Sequence, residues 1–549
     1  MANPQEETFD VVVVGSGSAA FAAALGAVDE GLSVILLESS DQWGGNSSMS
    51  GGGMWLPNNP LMKREGALAS REEALEYMLE TIGEPGPAAS KERIEAYIDT
   101  VDDLINTCER HGMEFTRAPK YPDYYPELPG GKVGRGVEGG IFNVKKIGEW
   151  AKTQRGAVPI PMRTDDTYKL QRSWSTPGGF VGGARFVFRT LGGLVTGKKN
   201  VGIGGGLMAN FAYATVIKAG VPLRLNTPAV GLVVEDDRVV GVRAESPEGE
   251  RIFRARLGVM LGAGGFESNQ EWREKYQNVT GYSSGSPSNQ GTPIEFAQAL
   301  GAAVDFMDDA WWGASLAPIA EGPNMGFIVG ERALPYSMIV DSQGKRFANE
   351  AESYVDLGHH MLEHDRGGDF WMITSGPYNK RYFRTFSIMP GLLKGMAEQG
   401  KYHKADTIEE LADKIGVPRA NLRATADRVT GFAKTGRDQD FGKGDSLYDR
   451  YYGDPTVTPN ACLGSMAKGP YTAYKVVVGD LGTKGGLVTD TEARVLREDG
   501  SVIEGLYAAG NTTASVMGHT YPGPGSTIGP AAVFGLRGAR HMAKQRVSK

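Results

Sequence analysis

The sequence predicts an α/β fold built on a parallel sheet, in a chain of more than one globular unit, and three observations predict it. Val11-Val12-Val13-Val14 is a continuous β-branched run, the pattern of a strand buried on both faces. A glycine-rich turn and an Ala-rich helical stretch follow it and lead into a second apolar run, Ser33 to Leu37. The chain has 549 residues, more than one core organises at ~150 residues per domain.

Gly15-Ser16-Gly17-Ser18-Ala19-Ala20 joins the first strand to a helix running from Phe21 to Asp29 and ending near Gly31. The second strand closes on Glu38, with Ser39 beyond it. Strand, glycine turn, helix, strand and acid in this order form a Rossmann-type dinucleotide-binding unit. Gly15 makes the tight turn, and Gly17 lets backbone approach a pyrophosphate at the helix N-terminus. Ala20 stands in for the third glycine, and Glu38 accepts hydrogen bonds from ribose hydroxyls. The unit alone does not separate FAD from NAD.

Later segments do. Glycine makes up 77 of the 549 residues, about twice the ordinary ~7%, with no three-residue period. The glycines cluster at 15–17, 44–53, 204–206, 262–265, 482–486 and 523–529, places where backbone can pass close to an extended ligand. Residues 44–53 lie just past the second strand, where the ribityl and pyrophosphate of a flavin would run. Val259 to Phe266 reads as a further buried strand with a glycine end. Gly505 to Asn511 reads as an apolar strand ending in glycine, followed by Tyr521 to Pro530 and a helix, a late return that brings amides to the isoalloxazine ring. Three separated segments converging on one long cofactor point to FAD.

Composition excludes other classes. With 58 Lys+Arg against 65 Asp+Glu the net charge is −7, so no basic footprint for nucleic acid is present. Cys108 and Cys462 are far apart, which leaves no disulfide framework and no zinc site, and both are expected as buried thiols in a reducing compartment. No other metal site is expected. The first residues lack the basic and apolar regions of a signal peptide, and no run of ~18 apolar residues appears, so a cytoplasmic address is expected. Residues 163–199 carry seven basic and two acidic residues, interleaved with Phe180, Val181, Phe186, Val187, Phe188, Leu191, Leu194 and Val195. This segment reads first as a loop-and-helix cover on the cofactor domain, and second as a face for peripheral contact with an anionic membrane.

Several stretches carry a resemblance over nearly the whole chain: GG-N-SSMSGGGMWLPNN at 44–59, PDYYPE at 122–127, FANE to Tyr354 at 347–354, DLGTKGGLVTD at 480–490, and GLYAAGN, YPGPG and IGP within 505–530. On these the chain resembles the flavoproteins related to fumarate reductase and succinate dehydrogenase, and among them the 3-ketosteroid Δ1-dehydrogenases. The resemblance implies a discontinuous FAD-binding domain, residues 1–309 and 483–549, with an α+β substrate domain, residues 310–482, inserted. Within the insert, Ile408 to Ile415 and Asn421 to Phe432 read as amphipathic helices. The implied cofactor contacts are Gly15, Ser16, Gly17, Ser18, Ala19, Ala20, Glu38, Ser39, Gly44, Gly45, Asn46, Ser47, Ser50, Gly51, Gly52, Gly53, Ala229, Ala263, Gly264, Gly510, Asn511, Gly525, Thr527 and Ile528. Gly45 stands where succinate dehydrogenases carry the histidine that bonds to flavin, so FAD is expected to be held non-covalently.

Desaturation beside a ketone needs a two-electron acceptor, a base for the acidified α-proton and donors for the enolate-like oxygen. The resemblance assigns these roles to Tyr124, Tyr354, Tyr521 and the backbone N–H of Gly525. Tyr521 and Gly525 would grip the C3 oxygen, Tyr354 would take a C2 proton, and hydride would pass from C1 to flavin N5. A free tyrosine, with a pKa of ~10, is a poor base near neutrality. Tyr124 is therefore expected to hydrogen-bond Tyr354 and favour its phenolate, with adjacent Tyr125 the alternative. Dicarboxylate reducers hold their substrates with arginines and histidines; tyrosines stand at the corresponding places here, which disfavours a dicarboxylate. The expected partners are a 3-ketosteroid substrate and an electron acceptor left unidentified, a quinone-like molecule being one candidate. Two other readings stay open: a 4,5-desaturase or other enone oxidoreductase, and a flavin-containing binding or electron-transfer protein.

Overall fold

The computed structural model describes residues 5–67, 69–156, 160–280, 282–320, 326–389 and 391–547. Its N-terminal elements follow the order read from the sequence: β1 (Gln5–Val14), α1 (Ser18–Asp29) and β2 (Val34–Leu37). β1 is parallel to β2 on one side, with Val11 opposite Val34, and to the strand Gly249–Leu261 on the other, with Val11 opposite Gly258. Strand Val502–Ala508 extends the same sheet in parallel, pairing Val259 with Leu506, so the C-terminal return rejoins the N-terminal unit. Both faces are covered, which is why the strands read as unbroken apolar runs. Val11, Val13, Leu36 and Met260 face one core and Val12, Val14, Ile35 and Leu261 the other.

Small residues set how closely α1 packs. It lies against the C-terminal helix Ile528–Val547, and a Cβ at Gly535 would collide with the Ala19 carbonyl, while one at Gly26 would come within 2.8 Å of Leu536. The Ala-rich composition of α1 thus serves close helix packing under the glycine turn.

A second, six-stranded sheet is centred on the long strand Tyr471–Thr483, which pairs with Tyr282–Ser283, Ala310–Leu316, Phe370–Thr374 and Tyr402–Ala405; Ser337–Val340 pairs with Phe370–Thr374 at its edge. Helices Ile408–Ile415 and Arg419–Thr435 cover one face through Leu411, Leu422 and Val429, matching the amphipathic reading of that stretch. Cys108 and Cys462 are buried and unbridged, and no group of metal-ligating side chains occurs among the described residues.

The helix Tyr354–His364 lies on strand Ala310–Leu316 in this second layer. The contact is made at Gly358, where a Cβ would collide with Trp312 and stand 2.7 Å from the Gly313 nitrogen. Gly358→Ala should therefore push the helix off the sheet at a cost of about 1–3 kcal/mol, the usual cost of overpacking. The expected result is a lower melting temperature together with weakened catalysis, read by thermal denaturation and turnover; an unchanged melting temperature would show that the layers are not so tightly apposed.

Candidate active site

One cavity of about 1220 Å³ runs from Glu38 to a cluster of tyrosines, larger than the roughly 300–1,000 Å³ of an ordinary small-molecule pocket. Its first end is the dinucleotide turn. Gly15 has φ +106°, and a side chain there would collide with the Gly262 carbonyl, so only glycine allows these two strand ends to meet. The Glu38 carboxylate, 8% exposed, accepts from Ser16 Oγ at 2.5 Å and from the Ser40 N–H at 3.0 Å. Further along, Asn46 donates to Glu267 at 2.6 Å and accepts from the Ser286 N–H at 2.6 Å, and burial holds the Glu267 carboxyl above its ordinary pKa.

Residues 53–55 and 523–529 form the middle. Gly525 has φ +100°, and a Cβ on it would overlap the Gly53 carbonyl, so the two backbones touch directly; the Trp55 N–H donates to the Gly525 carbonyl at 3.1 Å. The Pro522 carbonyl accepts from the Tyr124 N–H at 2.9 Å and from the Tyr77 hydroxyl at 2.6 Å. The turn carrying Tyr521 and Gly525 is thereby fixed to both the cofactor lining and the PDYYPE loop.

At the far end Tyr124, Tyr354 and Tyr521 pack on one another, with ring centroids 5.6 Å (124–354), 5.2 Å (124–521) and 4.9 Å (354–521) apart. Each is about 5% exposed or less. Burial pushes the Tyr354 hydroxyl well above its ordinary pKa, and the neighbouring Tyr521 adds to it. Burial also raises Tyr521, but hydrogen bonds from Thr527, Tyr354 and the Gly525 N–H favour its anion and oppose the shift. The Gly525 N–H and the Tyr521 hydroxyl therefore stand side by side at this end of the cavity, two donor groups of the kind that can stabilise a developing oxyanion.

Tyr354 begins its helix after an anchored segment. Arg346 in the FANE region pairs with Glu350 at 2.6 Å and with Asp438 at 2.8 Å, and Glu350 also accepts from the Ile339 N–H at 3.1 Å. Arg332 donates to the carbonyls of Glu350 and Glu352 at 2.5 and 2.7 Å. The side chains of Arg346, Glu350 and Asp438 are 4% exposed or less and Arg332 is buried, so the approach to Tyr354 is fixed by charge-assisted bonds that water screens little.

Of the cofactor-contact and catalytic residues that the resemblance implies, all but two line this cavity. Ala20 is fully buried behind it, against Gly262, and Gly44 stands in a second rank, donating its N–H to Ser16 Oγ at 2.9 Å. The expected bond from Tyr124 to Tyr354 is corrected: the two rings meet edge to face, and the Tyr124 hydroxyl lies 3.3 Å from that of Tyr121. Tyr125 turns away and donates to Asp356 at 2.9 Å. Sequence reading missed Tyr121, Tyr448, Tyr451 and Tyr452. The last three sit on the helix Leu447–Tyr452 at i, i+3 and i+4, the spacing of a single helix face, and that signal was available. Tyr448 packs 4.4 Å from Tyr124, and Tyr121 stacks on Tyr451 at 4.5 Å. Behind Tyr521, Trp311 stands edge-on at 5.2 Å, with the buried Lys484 ammonium 5.0 Å over it and paired to Asp309 at 3.1 Å. Among the described lining residues Arg155 is the only Lys, Arg or His, and it belongs to the Glu38 end, donating to Ser40 at 2.8 Å.

Residues 10–528 match the model of the family described as FAD binding domain. The chain belongs to that family. FAD is its cofactor, and the cradle of Gly15, Gly17, Gly52 and Gly53 leading to Gly510, Gly525 and Thr527 suits a cofactor of that length. The 3-oxosteroid 1-dehydrogenase of Mycolicibacterium smegmatis is 43% identical, over 98% of this chain and 97% of the relative. The 4-oxocyclohexanecarboxylate 2-dehydrogenase of Sinomonas cyclohexanicum is 33% identical, over 98% and 93%. Among solved structures, the 3-ketosteroid Δ1-dehydrogenase of Sterolibacterium denitrificans, in complex with 1,4-androstadiene-3,17-dione, superposes with a TM-score of 0.90 at 36% identity, covering 98% of this chain and 100% of that one.

Because Glu38 is the buried acid at the end of β2, Glu38→Ala should weaken FAD binding by roughly ten- to hundredfold, the loss of a charge-assisted hydrogen bond worth ~1.5–3 kcal/mol. Titration of the apoprotein with FAD checks it, with far-UV circular dichroism as the control for folding. Wild-type affinity in the variant would remove Glu38 from ribose recognition.

Proposed function

We propose that this chain is an FAD-dependent enzyme that desaturates the 1,2 bond of 3-ketosteroids. The observation that carries the reading is the adjacency of the Tyr521 hydroxyl and the Gly525 N–H beside Tyr354, at the aromatic end of the cavity whose other end is the dinucleotide turn. The relatives named for 3-oxosteroid 1-dehydrogenation support the regiochemistry. A carboxylate-bearing ring such as that of the Sinomonas relative is disfavoured, because no Lys, Arg or His lines the aromatic end among the described residues.

In this reading the C3 carbonyl oxygen sits between Tyr521 and Gly525, where two donors stabilise developing negative charge and acidify C2. Tyr354 removes the C2 proton. FAD, when bound, supplies the two-electron acceptor for the hydrogen leaving C1. Gly45 presents no side chain for a covalent bond, and we take the cofactor to be held by non-covalent contacts alone. We also take the substrate unit to span 310–482, with the short strand Tyr282–Ser283 added to its sheet from the FAD-binding part of the chain.

The raised pKa of Tyr354 gives the reaction a sign. A base works only when deprotonated, and a value above the ordinary tyrosine range leaves little phenolate at neutral pH, so kcat/KM should climb as pH rises into the alkaline range. Tyr354→Phe keeps the ring and removes the proton acceptor. It should lower kcat and kcat/KM together by ~10²–10⁴-fold, with little change in steroid binding, and should abolish the alkaline rise. Tyr521→Phe should weaken binding as well. Steady-state turnover of androst-4-ene-3,17-dione, with the position of the new double bond determined, tests all of this. Full kcat in Tyr354→Phe, or a new bond elsewhere than C1–C2, would overturn the assignment.

A second reading concerns residues 163–199. The helix Pro177–Val195 leaves Phe180, Val187, Phe188, Leu191 and Val195 exposed, Phe188 to 75% and Val195 to 89%. A packed cover would bury them. Asp165 and Asp166 pair with Lys169 and Arg189, which leaves the segment's surplus positive. Among the described residues no helix is long and apolar enough to cross a membrane. The exposed apolar and basic mix instead supports peripheral contact with an anionic bilayer, in which a steroid substrate dissolves. The protein should co-sediment with phosphatidylglycerol-containing vesicles, less so in high salt, and Phe180→Ser/Phe188→Ser should stay in the supernatant. Vesicle binding unaffected by both changes would reject the helix as the contact.

A further inference from the structure

A second, much smaller cavity of about 20 Å³ adjoins the large one and shares Gly510, Asn511, Thr527 and Ala531 with it. Two of its described lining residues, Arg93 and Lys484, are cationic, and none is acidic. Lys484 is neutralised by Asp309 at 3.1 Å. Arg93, on the helix Lys91–Arg110, is 3% exposed and makes no ion pair among the described residues. Its guanidinium lies over the Phe534 ring at 4.6 Å. The one acceptor it reaches among the described residues is the Ala88 carbonyl, 2.6 Å from Nη1, and its Nε has no partner. Asp490 is the carboxylate whose field reaches it, but that group is committed elsewhere: it pairs with Arg494 at 2.7 Å and accepts from the Glu492 and Arg494 N–H groups at 2.9 Å each. Burial pushes the Arg93 guanidinium down to about 10, which still leaves it charged at neutral pH. A buried cation with no counter-charge is costly and calls for one. The rest of the wall is of the matching kind. Thr527, Pro530 and Ala531 bring in the start of the helix Ile528–Val547, the positive end of its dipole. The Ser515 hydroxyl accepts from the Met517 N–H at 3.1 Å, and its own hydrogen has no acceptor among the described residues.

We propose that this small cavity is an anion site that takes one halide ion, chloride in solution, between Arg93, Lys484 and the start of the C-terminal helix. A cavity of that size holds a single particle little larger than water, so sulfate, phosphate and carboxylates are too large for it. Water would fit, but it would leave the Arg93 charge uncancelled. The ion supplies the missing counter-charge and ties the helix Lys91–Arg110 to the wall that the two cavities share. The inference goes beyond the desaturation chemistry and does not depend on which bond of which ketone is desaturated.

The test uses the FAD-loaded protein and bromide as a visible stand-in for chloride. Crystals grown with sodium bromide as the sole halide should show an anomalous peak beside Arg93. In solution, exchanging sodium gluconate for sodium chloride at constant ionic strength should raise the melting temperature by about 2 °C, and the rise should saturate well below molar concentration, as binding to one site of the folded state requires. Arg93→Met keeps most of the side-chain bulk and should abolish both the peak and the chloride response, whereas Arg93→Lys keeps the charge and should retain the response. Absence of a bromide peak in this cavity overturns the proposal and leaves water as its occupant. A response that gluconate shares, or one that fails to saturate, overturns it too, and these wild-type results decide the matter even if neither variant folds. A peak and a chloride response that persist in a folded Arg93→Met protein would likewise overturn the assignment to Arg93.

Discussion

The contact on which the rest of the site depends is between two backbones. Residues 53–55 and 523–529 come from opposite ends of the chain, and they touch because Gly525 has no side chain and takes a φ that other residues avoid. That contact closes the cofactor cradle and orients the Gly525 N–H. It also fixes Pro522, whose carbonyl ties in Tyr77 and the backbone of Tyr124. Any side chain at 525 would push against the Gly53 carbonyl, and the cofactor lining and the tyrosine cluster would be displaced together.

Tyr354 reaches the same point from the other sheet, and its placement has a different physical origin. Glu350, buried and held by Arg346 with Lys443 3.5 Å away, anchors the FANE segment, and Arg332 holds the two carbonyls just before the tyrosine. Removing one partner of such a network would leave an uncompensated buried charge, which is far more costly than losing a surface pair. The two halves of the site thus rest on different forces, glycine-permitted backbone packing on the cofactor side and buried ion pairs on the substrate side. Their meeting at three mutually packed tyrosine rings gives the site its geometry.

The dinucleotide unit was legible because each of its signals is local. A β-branched run, glycines at a strand end, an Ala-rich helix and an acid at the end of β2 are all decided within forty residues, and β1, α1 and β2 fall where they predict. The pairing of β1 with Gly249–Leu261, and of that strand with Val502–Ala508, is carried by no local pattern; glycine strand ends gave only its outline. The tyrosines divide the same way. Tyr354 and Tyr521 lie beside distinctive segments, whereas the relation of Tyr124 to its neighbours depends on the helix Leu447–Tyr452, more than 300 residues later, which inserts Tyr448 beside it.

Why tyrosines should do this work follows from the cost of burial. An apolar cavity that must hold a lipid-soluble ring disfavours permanent charge, and an unpaired lysine or carboxylate there would be neutralised or would draw in water. A phenol can be buried while neutral, supplies both donor and ring surface, and forms its anion only when needed. Two permanent charges near Tyr521 are kept one layer back: Lys484 and Asp309 pair with each other behind Trp311, outside the cavity lining. The raised pKa of Tyr354 is the consequence of that choice. In the proposed mechanism a site dry enough to accept a steroid holds its base in reserve, and donors at Tyr521 and Gly525 would compensate by making the C2 proton more acidic.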